Sequence, residues 1–307
     1  LGHQAMLDKA KSLAKSQQLA SMVMIFEPQP REFFSPQTAP ARLTNLAEKT
    51  QLIAEHRIDS LIVANFDNDF RNLSAHDFAK MLVKLNVKHL VLGDDFRFGH
   101  DRTGDSEFLR AFGLPVQILH TVTDHAHQDE RVSSTRIRDC LQQGDLATAK
   151  HLLGRDYAIT GMVEHGDKIG RTLDFPTANI ALNRIKPALH GIFAVSVTAT
   201  DGTDLSTLGK NSQTGVQGLT KGSLFGACNV GTRPALKNKY GVEWRLEVNF
   251  PKFDGDLYGR ELTVTFLHFL HGEKNYAGLD ALKQGIAQDV VDLLDWREQQ
   301  AFAKSCP

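Results

Sequence analysis

At 307 residues the chain is long for a single hydrophobic core, so two domains are expected. Its composition, 41% hydrophobic and 23% charged, is that of a globular protein, and a net charge of −1 excludes a polyanion-coating role while leaving room for one basic nucleotide pocket. Cys140, Cys228 and Cys306 stand singly without metal-ligand spacing, and no membrane-length apolar run or signal peptide is visible; this points to a reducing cytoplasm, with neither membrane nor nucleic acid as partner and self-association left open.

Short apolar runs bounded by polar or turn residues predict buried strands at Met22–Phe26, Ser60–Ala64, His89–Gly93 and Val116–Leu119. Between them Leu46–Arg57 and Ala75–Leu85 read as helices, the second opened by Ser74 with Asp77 three residues on. Helices at Ser134–Gln143 and Leu146–Leu153 follow, the latter with Asp145 as N-cap. Strand–helix alternation predicts a doubly wound parallel sheet that binds ligands at the carboxyl ends of its strands.

From about Tyr157 the pattern changes. Val242–Phe250 alternates, with Val242, Trp244, Leu246, Val248 and Phe250 on one face and Glu243, Arg245, Glu247 and Asn249 on the other. Ile192–Thr198 and Leu262–Phe266 alternate similarly, which predicts a small antiparallel β-barrel. Asp201–Gly222 reads as a mobile loop, and Leu279, Leu282, Ile286, Val290 and Leu293 mark a C-terminal amphipathic helix packed on the barrel. The boundary is expected near Gly154–Tyr157, giving domains 1–154 and 155–307.

In the first half, Gly2 and His3 precede a helical stretch, where free N–H groups and a protonated imidazole would favour phosphate. Gly93-Asp94-Asp95-Phe96-Arg97-Phe98-Gly99 follows a strand; Arg97 and Arg102 suit phosphate, and Asp95 suits a ribose or metal. Ser133, Ser134 and Thr135 open a helix that carries Arg138 one turn inside, a set of hydroxyls and guanidinium suited to a triphosphate. In the second half, Gly166 and Gly170 with Arg171 would wrap phosphates, while Thr177 and Asn179 offer oxygens to Mg²⁺.

Gly-His, Gly-x-Asp-Phe-Arg-Phe-Gly and Ser-Ser-Thr-x-Ile-Arg, in this order, resemble the adenylyltransferase module of bacterial bifunctional riboflavin kinase/FAD synthetases. Phe26-Glu27-Pro28-Gln29-Pro30-Arg31-Glu32 resembles a further segment, with Gln29 where a histidine is usual. The segment Gly161–Asn179 resembles the signature of the riboflavin kinase module, with Asp174 in place of glycine. So do Asn229-Val230-Gly231-Thr232-Arg233-Pro234, followed by Ala235 for threonine, and Asp254-Gly255-Asp256-Leu257-Tyr258-Gly259. Leu270-His271-Gly272-Glu273-Lys274-Asn275-Tyr276 resembles a last block, with His271 for arginine.

The resemblance, which runs from Gly2 to about Asp289, implies that riboflavin is phosphorylated to FMN and FMN adenylylated to FAD, both with Mg-ATP. It implies that Glu273 is the kinase's catalytic carboxylate, that Thr177 and Asn179 hold Mg-ATP, and that His3 and Arg138 stabilise charge in adenylyl transfer. Flavin contacts are implied at Phe26, Pro28, Phe96, Asn229, Arg233 and Glu273. The related His-x-Gly-His signature also has a Gly-x-Phe-Asp-Gly-like turn, a first strand and a first histidine, none of which lies after Leu1. An N-terminally truncated adenylyltransferase domain is therefore expected. Two alternatives stand beside the bifunctional enzyme: a single-activity riboflavin kinase with a non-functional adenylyltransferase domain, and a flavin-binding regulatory module. The second is disfavoured by the presence of Ser133, Thr135, Arg138, Thr177, Asn179 and Glu273.

Overall fold

The computed structural model describes residues 1–120, 122–124, 130–165, 175, 177–209, 222–238 and 241–305. They form two compact units, one of Leu1–Pro40 with Leu46–Ser133, the other of Ala41–Asn45 with Ser134–Pro307.

In the first unit, strands β1 (Met22–Glu27) and β2 (Ser60–Asn65) pair in parallel, as do β3 (Leu90–Gly93) and β4 (Val116–Leu119). Helices α1 (Gly2–Ser16), α2 (Pro30–Phe34), α3 (Leu46–Glu55), α4 (Asn68–Arg71), α5 (Ala75–Lys84) and α6 (Ser106–Ala111) connect and cover them. The sequence reading missed α2, α4 and α6, which at six residues or fewer are too short to show a helical period. It also missed the two-residue strands β5 (Thr123–Asp124) and β6 (Glu130–Arg131). The core gathers Phe78, Ala79 and Leu82 of α5, Leu92 of β3, Leu109 of α6 and Phe98, with Met24 of β1 packed against it.

The start of α5 follows from its first residues. Ser74 Oγ accepts a hydrogen bond from the Asp77 N–H at 3.0 Å and donates to the Asp77 carboxylate at 2.7 Å, so an otherwise orphaned donor is satisfied. Ser74→Ala should cost about 1 kcal/mol, read as a lower denaturation midpoint at unchanged slope.

In the second unit, α7 (Ser134–Gln142) and α8 (Leu146–Leu153) precede the barrel, and Asp145 Oδ1 caps α8 by accepting from the Thr148 N–H at 3.0 Å. Strands β7 (Ala158–Glu164), β8 (Thr177–Ile180), β9 (Gly191–Ala199), β10 (Leu224–Asn238), β11 (Gly241–Asn249) and β12 (Glu261–His271) close an antiparallel barrel in the order β10-β11-β8-β7-β12-β9. Helix α9 (Leu279–Ser305) sets Leu293 and Trp296 against Ala194, Phe225 and Ala227 of the wall. No helix among the described residues is long and apolar enough to cross a membrane.

Three expectations change here. Ile192–Thr198 does not alternate between core and solvent: Ile192 to Val197 are all buried, because one face fills the barrel and α9 covers part of the other. Leu279 does not join the apolar stripe of α9, being 64% exposed at its first turn. The predicted loop Asp201–Gly222 contains a 3₁₀ turn at Leu205–Thr207 whose Leu205 is fully buried, while 210–221 lie outside the described residues.

Candidate active sites

The first unit carries one cluster, and the second carries α7 and the barrel cluster. In the first, α1 begins at Gly2, so His3 lies in the first turn, where backbone N–H groups lack helical partners. The His3 pKa is lowered by desolvation, with repulsion from the Lys49 cation acting in the same direction. His3 is exposed, so burial is the weaker of the two causes and the Lys49 cation the firmer one. The protonated imidazole expected from the sequence is therefore disfavoured before an anion arrives.

Gly2 lies beside the Val132 carbonyl, 3.9 Å from where a Cβ would stand. Arg131 of β6 reaches the Asp95 carboxylate at 3.1 Å, which ties the turn after β3 to the segment leading into Ser133. Arg97 is exposed and donates to the Phe96 carbonyl at 2.9 Å. Arg102 is exposed at φ 57°, next to Asp101 at φ 54°. Gly104 packs so tightly on the buried Phe98 ring that a Cβ would come within 2.6 Å of it. This strained loop therefore displays its arginines outward while its base is fixed.

Aromatic rings line the carboxyl ends of β1, β2 and β3. Phe26 meets Phe70 at 5.3 Å and Phe66 at 5.9 Å, while Phe96 stacks on Phe98 at 5.7 Å. Pro28 follows Phe26 after a cis Glu27–Pro28 bond, and Gln29 is the N-cap of α2. Such a surface can take one face of a flat heteroaromatic ring.

Ser134 and Thr135 open α7 within the second unit, and Arg138 commits its Nε to the Ala41 carbonyl at 2.6 Å. That bond fixes the guanidinium's direction, which the sequence reading did not foresee because Ala41 is far away in the chain.

The barrel cluster is set by strand register. Asn179 of β8 lies opposite Glu247 of β11, which lies opposite Asn229 of β10; Thr177 lies opposite Asn249. Paired residues project to one side of an antiparallel sheet, so Thr177, Asn179, Glu247 and Asn229 share a face. The alternate residues Ala178, Ile180, Leu246, Val248, Cys228 and Val230 are buried on the other. Burial, then the Glu247 charge, pushes the Cys228 thiol well above its usual range. Asn229 Oδ1 is buried with no hydrogen-bond partner among the described residues.

Two positions beyond Asn229, Gly231 leaves a space filled by the Glu273 carboxylate; a Cβ there would come within 2.1 Å of Glu273 Oε1. The same oxygen accepts from the Thr232 N–H at 3.3 Å. The third sequence block lies at an open cleft of about 580 Å³ that includes Asp256, Tyr258 and Arg260, where the His165 ring lies 4.1 Å from that of Tyr258.

The structure thus brings Thr177, Asn179, Asn229 and Glu273 onto one stretch of barrel wall. Gly166, Gly170, Arg171 and the side chain of Arg233 lie outside the described residues. Sequence reasoning missed Glu247, although its alternation with Leu246 and Val248 was visible; nothing local distinguishes it from Glu243 on the same face.

Residues 1–136 match the FAD synthetase family and residues 153–296 the riboflavin kinase family. The chain is 40% identical over 291 residues to the bifunctional riboflavin kinase/FMN adenylyltransferase of Escherichia coli (strain K12), covering 94% of this chain and 86% of that one. It is also 40% identical over 293 residues to the protein of that name from Pseudomonas fluorescens, covering 94% and 87%. A solved structure described as a macrolide-efflux protein from Streptococcus pneumoniae superimposes with a TM-score of 0.72 at 27% identity, covering 96% of this chain and 90% of that one. With a parallel-strand unit, a closed barrel and both halves matched, the chain belongs to the bifunctional riboflavin kinase/FMN adenylyltransferase family.

Proposed function

We propose that this chain converts riboflavin and ATP to FMN and ADP in its barrel unit, and FMN and a second ATP to FAD and pyrophosphate with its N-terminal motifs. The observation that carries the first step is the row Asn179–Glu247–Asn229 across three adjacent strands, flanked by Thr177 at one end and Glu273 at the other.

Thr177 and Asn179 supply neutral oxygens at the phosphate end, and Glu247 a carboxylate beside them. This all-oxygen set suits Mg²⁺ held partly by ATP phosphates. Among the described residues no group of three or more His, Cys, Asp or Glu could bind a metal alone. When bound, the ion neutralises charge on the transferring phosphoryl group. Glu247 orients the ribityl 5′-hydroxyl and accepts its proton as the oxygen bonds to the γ-phosphorus. Glu273, held on β10 beside Asn229, belongs to the flavin end with Asn229 and Arg233. The register favours this division over the assignment of the base to Glu273.

For adenylyl transfer, the FMN phosphate attacks the α-phosphorus of ATP. In the first unit the N–H groups at Gly2 and His3, with Arg97 and Arg102, are assigned to the phosphates, and the motif Ser133, Ser134, Thr135 and Arg138 is assigned to the same step from its sequence alone. Asp95 is the candidate ribose contact, and Phe26, Pro28 and Phe96 take the flavin ring. We keep each activity's motifs to one side of the 154/155 boundary. The free thiols of Cys140 and Cys228 fit a cytoplasmic protein.

Incubation with riboflavin and Mg-ATP, resolved by chromatography over time, tests the reading: FMN should appear first and FAD follow. FMN alone would leave only the kinase, and neither product would leave a binding module. A second expectation concerns His3. Because its free pKa is lowered, an arriving triphosphate favours the charged ring and draws in a proton. The heat of ATP binding should then depend on the buffer's ionisation enthalpy, and this dependence should vanish in His3→Gln. Buffer-independent heats in the parent would detach His3 from the phosphate.

A further inference from the structure

His271, the last residue of β12, lies between two acceptors. Nδ1 is 2.8 Å from the Gly272 carbonyl and Nε2 is 2.7 Å from Asp289 Oδ1 on α9. A carbonyl and a carboxylate both accept, so the ring is held between two acceptors, each within hydrogen-bond reach of one of its nitrogens. The pair is largely enclosed: the His271 and Asp289 side chains are 17% and 11% exposed. An enclosed polar pair breaks expensively when one partner is removed, because the other is left unsatisfied.

Gly272 has no side chain to fix its peptide, and a Cβ there would meet nothing within 4 Å. The Nδ1–H bond to its carbonyl therefore sets the direction in which the chain leaves the barrel. The next residue is Glu273, whose carboxylate rests on Gly231 and the Thr232 N–H. Further on, Tyr276 lies against Gly285 of α9, where a Cβ would come within 2.3 Å of the phenol oxygen. Desolvation, then the Asp289 charge, raises the Tyr276 pKa, consistent with a phenol that stays neutral beside that carboxylate.

We propose that His271 and Asp289 are a positioning pair for the riboflavin end of the kinase site: α9, through Asp289, orients His271, which aligns the Gly272 peptide and so aims the Glu273 carboxylate. The pair touches neither substrate. This rests on the assignment of Glu273 to the flavin end, and it gives α9 a task beyond covering the barrel wall. Where the family carries an arginine, His271 keeps a ring nitrogen on Asp289 and adds a short, rigid second contact to the backbone.

The test compares steady-state riboflavin phosphorylation in the full chain for His271→Ala, Asp289→Asn, Glu273→Gln and the double variant His271→Ala/Glu273→Gln. FMN adenylylation and thermal melting on the same preparations report folding. His271→Ala and Asp289→Asn should each raise the riboflavin KM about tenfold while leaving the ATP KM within about twofold, the scale of a misplaced substrate contact. His271→Arg should restore most of the loss. The decisive result is the double variant: if the pair acts through Glu273, His271→Ala should add less than about twofold to Glu273→Gln. A full additional tenfold loss there, or a parent-like riboflavin KM in Asp289→Asn, overturns the proposal. A parent-like Glu273→Gln removes the flavin-end assignment beneath it and the proposal falls with it, a result distinguishable from failure of the pair alone.

Discussion

Glu247→Gln should lower kcat for FMN formation by roughly 10²–10⁴-fold, about 3–5 kcal/mol of barrier, with riboflavin binding little changed. The substitution keeps the side chain's size and polarity but removes its ability to take the hydroxyl proton. In a loose phosphoryl-transfer transition state that proton leaves late, so part of the loss reflects poorer orientation of the nucleophile. The pairing of Glu247 with Arg245 at 3.6 Å is half open to solvent, with side chains 30% and 24% exposed. Its loss should cost little stability, so a folded, slow enzyme is the expected product. Glu273→Gln should act mainly on the riboflavin KM. Thr177→Ala and Asn179→Ala should weaken Mg-ATP, because they sit at the phosphate end of the same row. Rapid-quench measurement of FMN formed in a single turnover separates these effects. A Glu247→Gln enzyme within about threefold of the parent rate, with Glu273→Gln slowed by the full range, would return the base to Glu273.

Gly161→Ala should be the most destabilising single methyl addition in the barrel. On β7, Gly161 pairs with Leu262 of β12. A Cβ built on it would lie 2.0 Å from the Ala181 carbonyl oxygen and 3.1 Å from Ile180 Cγ2. The nearest obstacle is backbone, which cannot rotate aside as a side chain would. Relief requires β7 and β8 to separate, yet the Ala181 N–H donates to the Met162 carbonyl at 2.9 Å in the same place. Overpacking of this kind typically costs about 1–3 kcal/mol and can exceed it. At roughly 2–4 °C per kcal/mol for a unit of this size, the melting point should drop by about 2–12 °C. Gly278→Ala, where a Cβ would meet nothing within 4 Å, should melt close to the parent. Equal melting points for the two variants would mean that β7 and β8 do not approach so closely in solution.

Local signals carried the elements, and pairing carried the site. Val116–Leu119 could be bounded from its own residues, as could the Ser74 cap of α5, because their causes lie within a few positions of the chain. The exposure of β9 could not be read that way: its outer face is buried partly by α9, which follows much later. Glu247 shows the same limit for function. Its partners Asn179 and Asn229 come from two different earlier strands, β8 and β10, and only the closed register puts them side by side. The family resemblance located Thr177, Asn179 and Glu273 without that register, but gave no means of ranking two carboxylates. His271 was visible only as a departure from pattern; Asp289, which gives it a partner, lies on the buried side of a helix whose stripe was traced through apolar residues alone.

Closure of the barrel has a consequence for the protein in a crowded cell. Every barrel strand hydrogen-bonds to a neighbour on each side, β9 and β10 completing the ring, so among the described residues the barrel leaves no strand without a partner on both sides. Strand-to-strand templating, a common start of aggregation in β-rich proteins, is available only before the ring shuts. Since β10 is hydrogen-bonded to β9 and β11, and β12 to β7 and β9, the hazardous interval ends when the late strand β12 docks between β7 and β9. Chains truncated before β12 should therefore go to inclusion bodies far more readily than chains that carry a point change in a finished barrel.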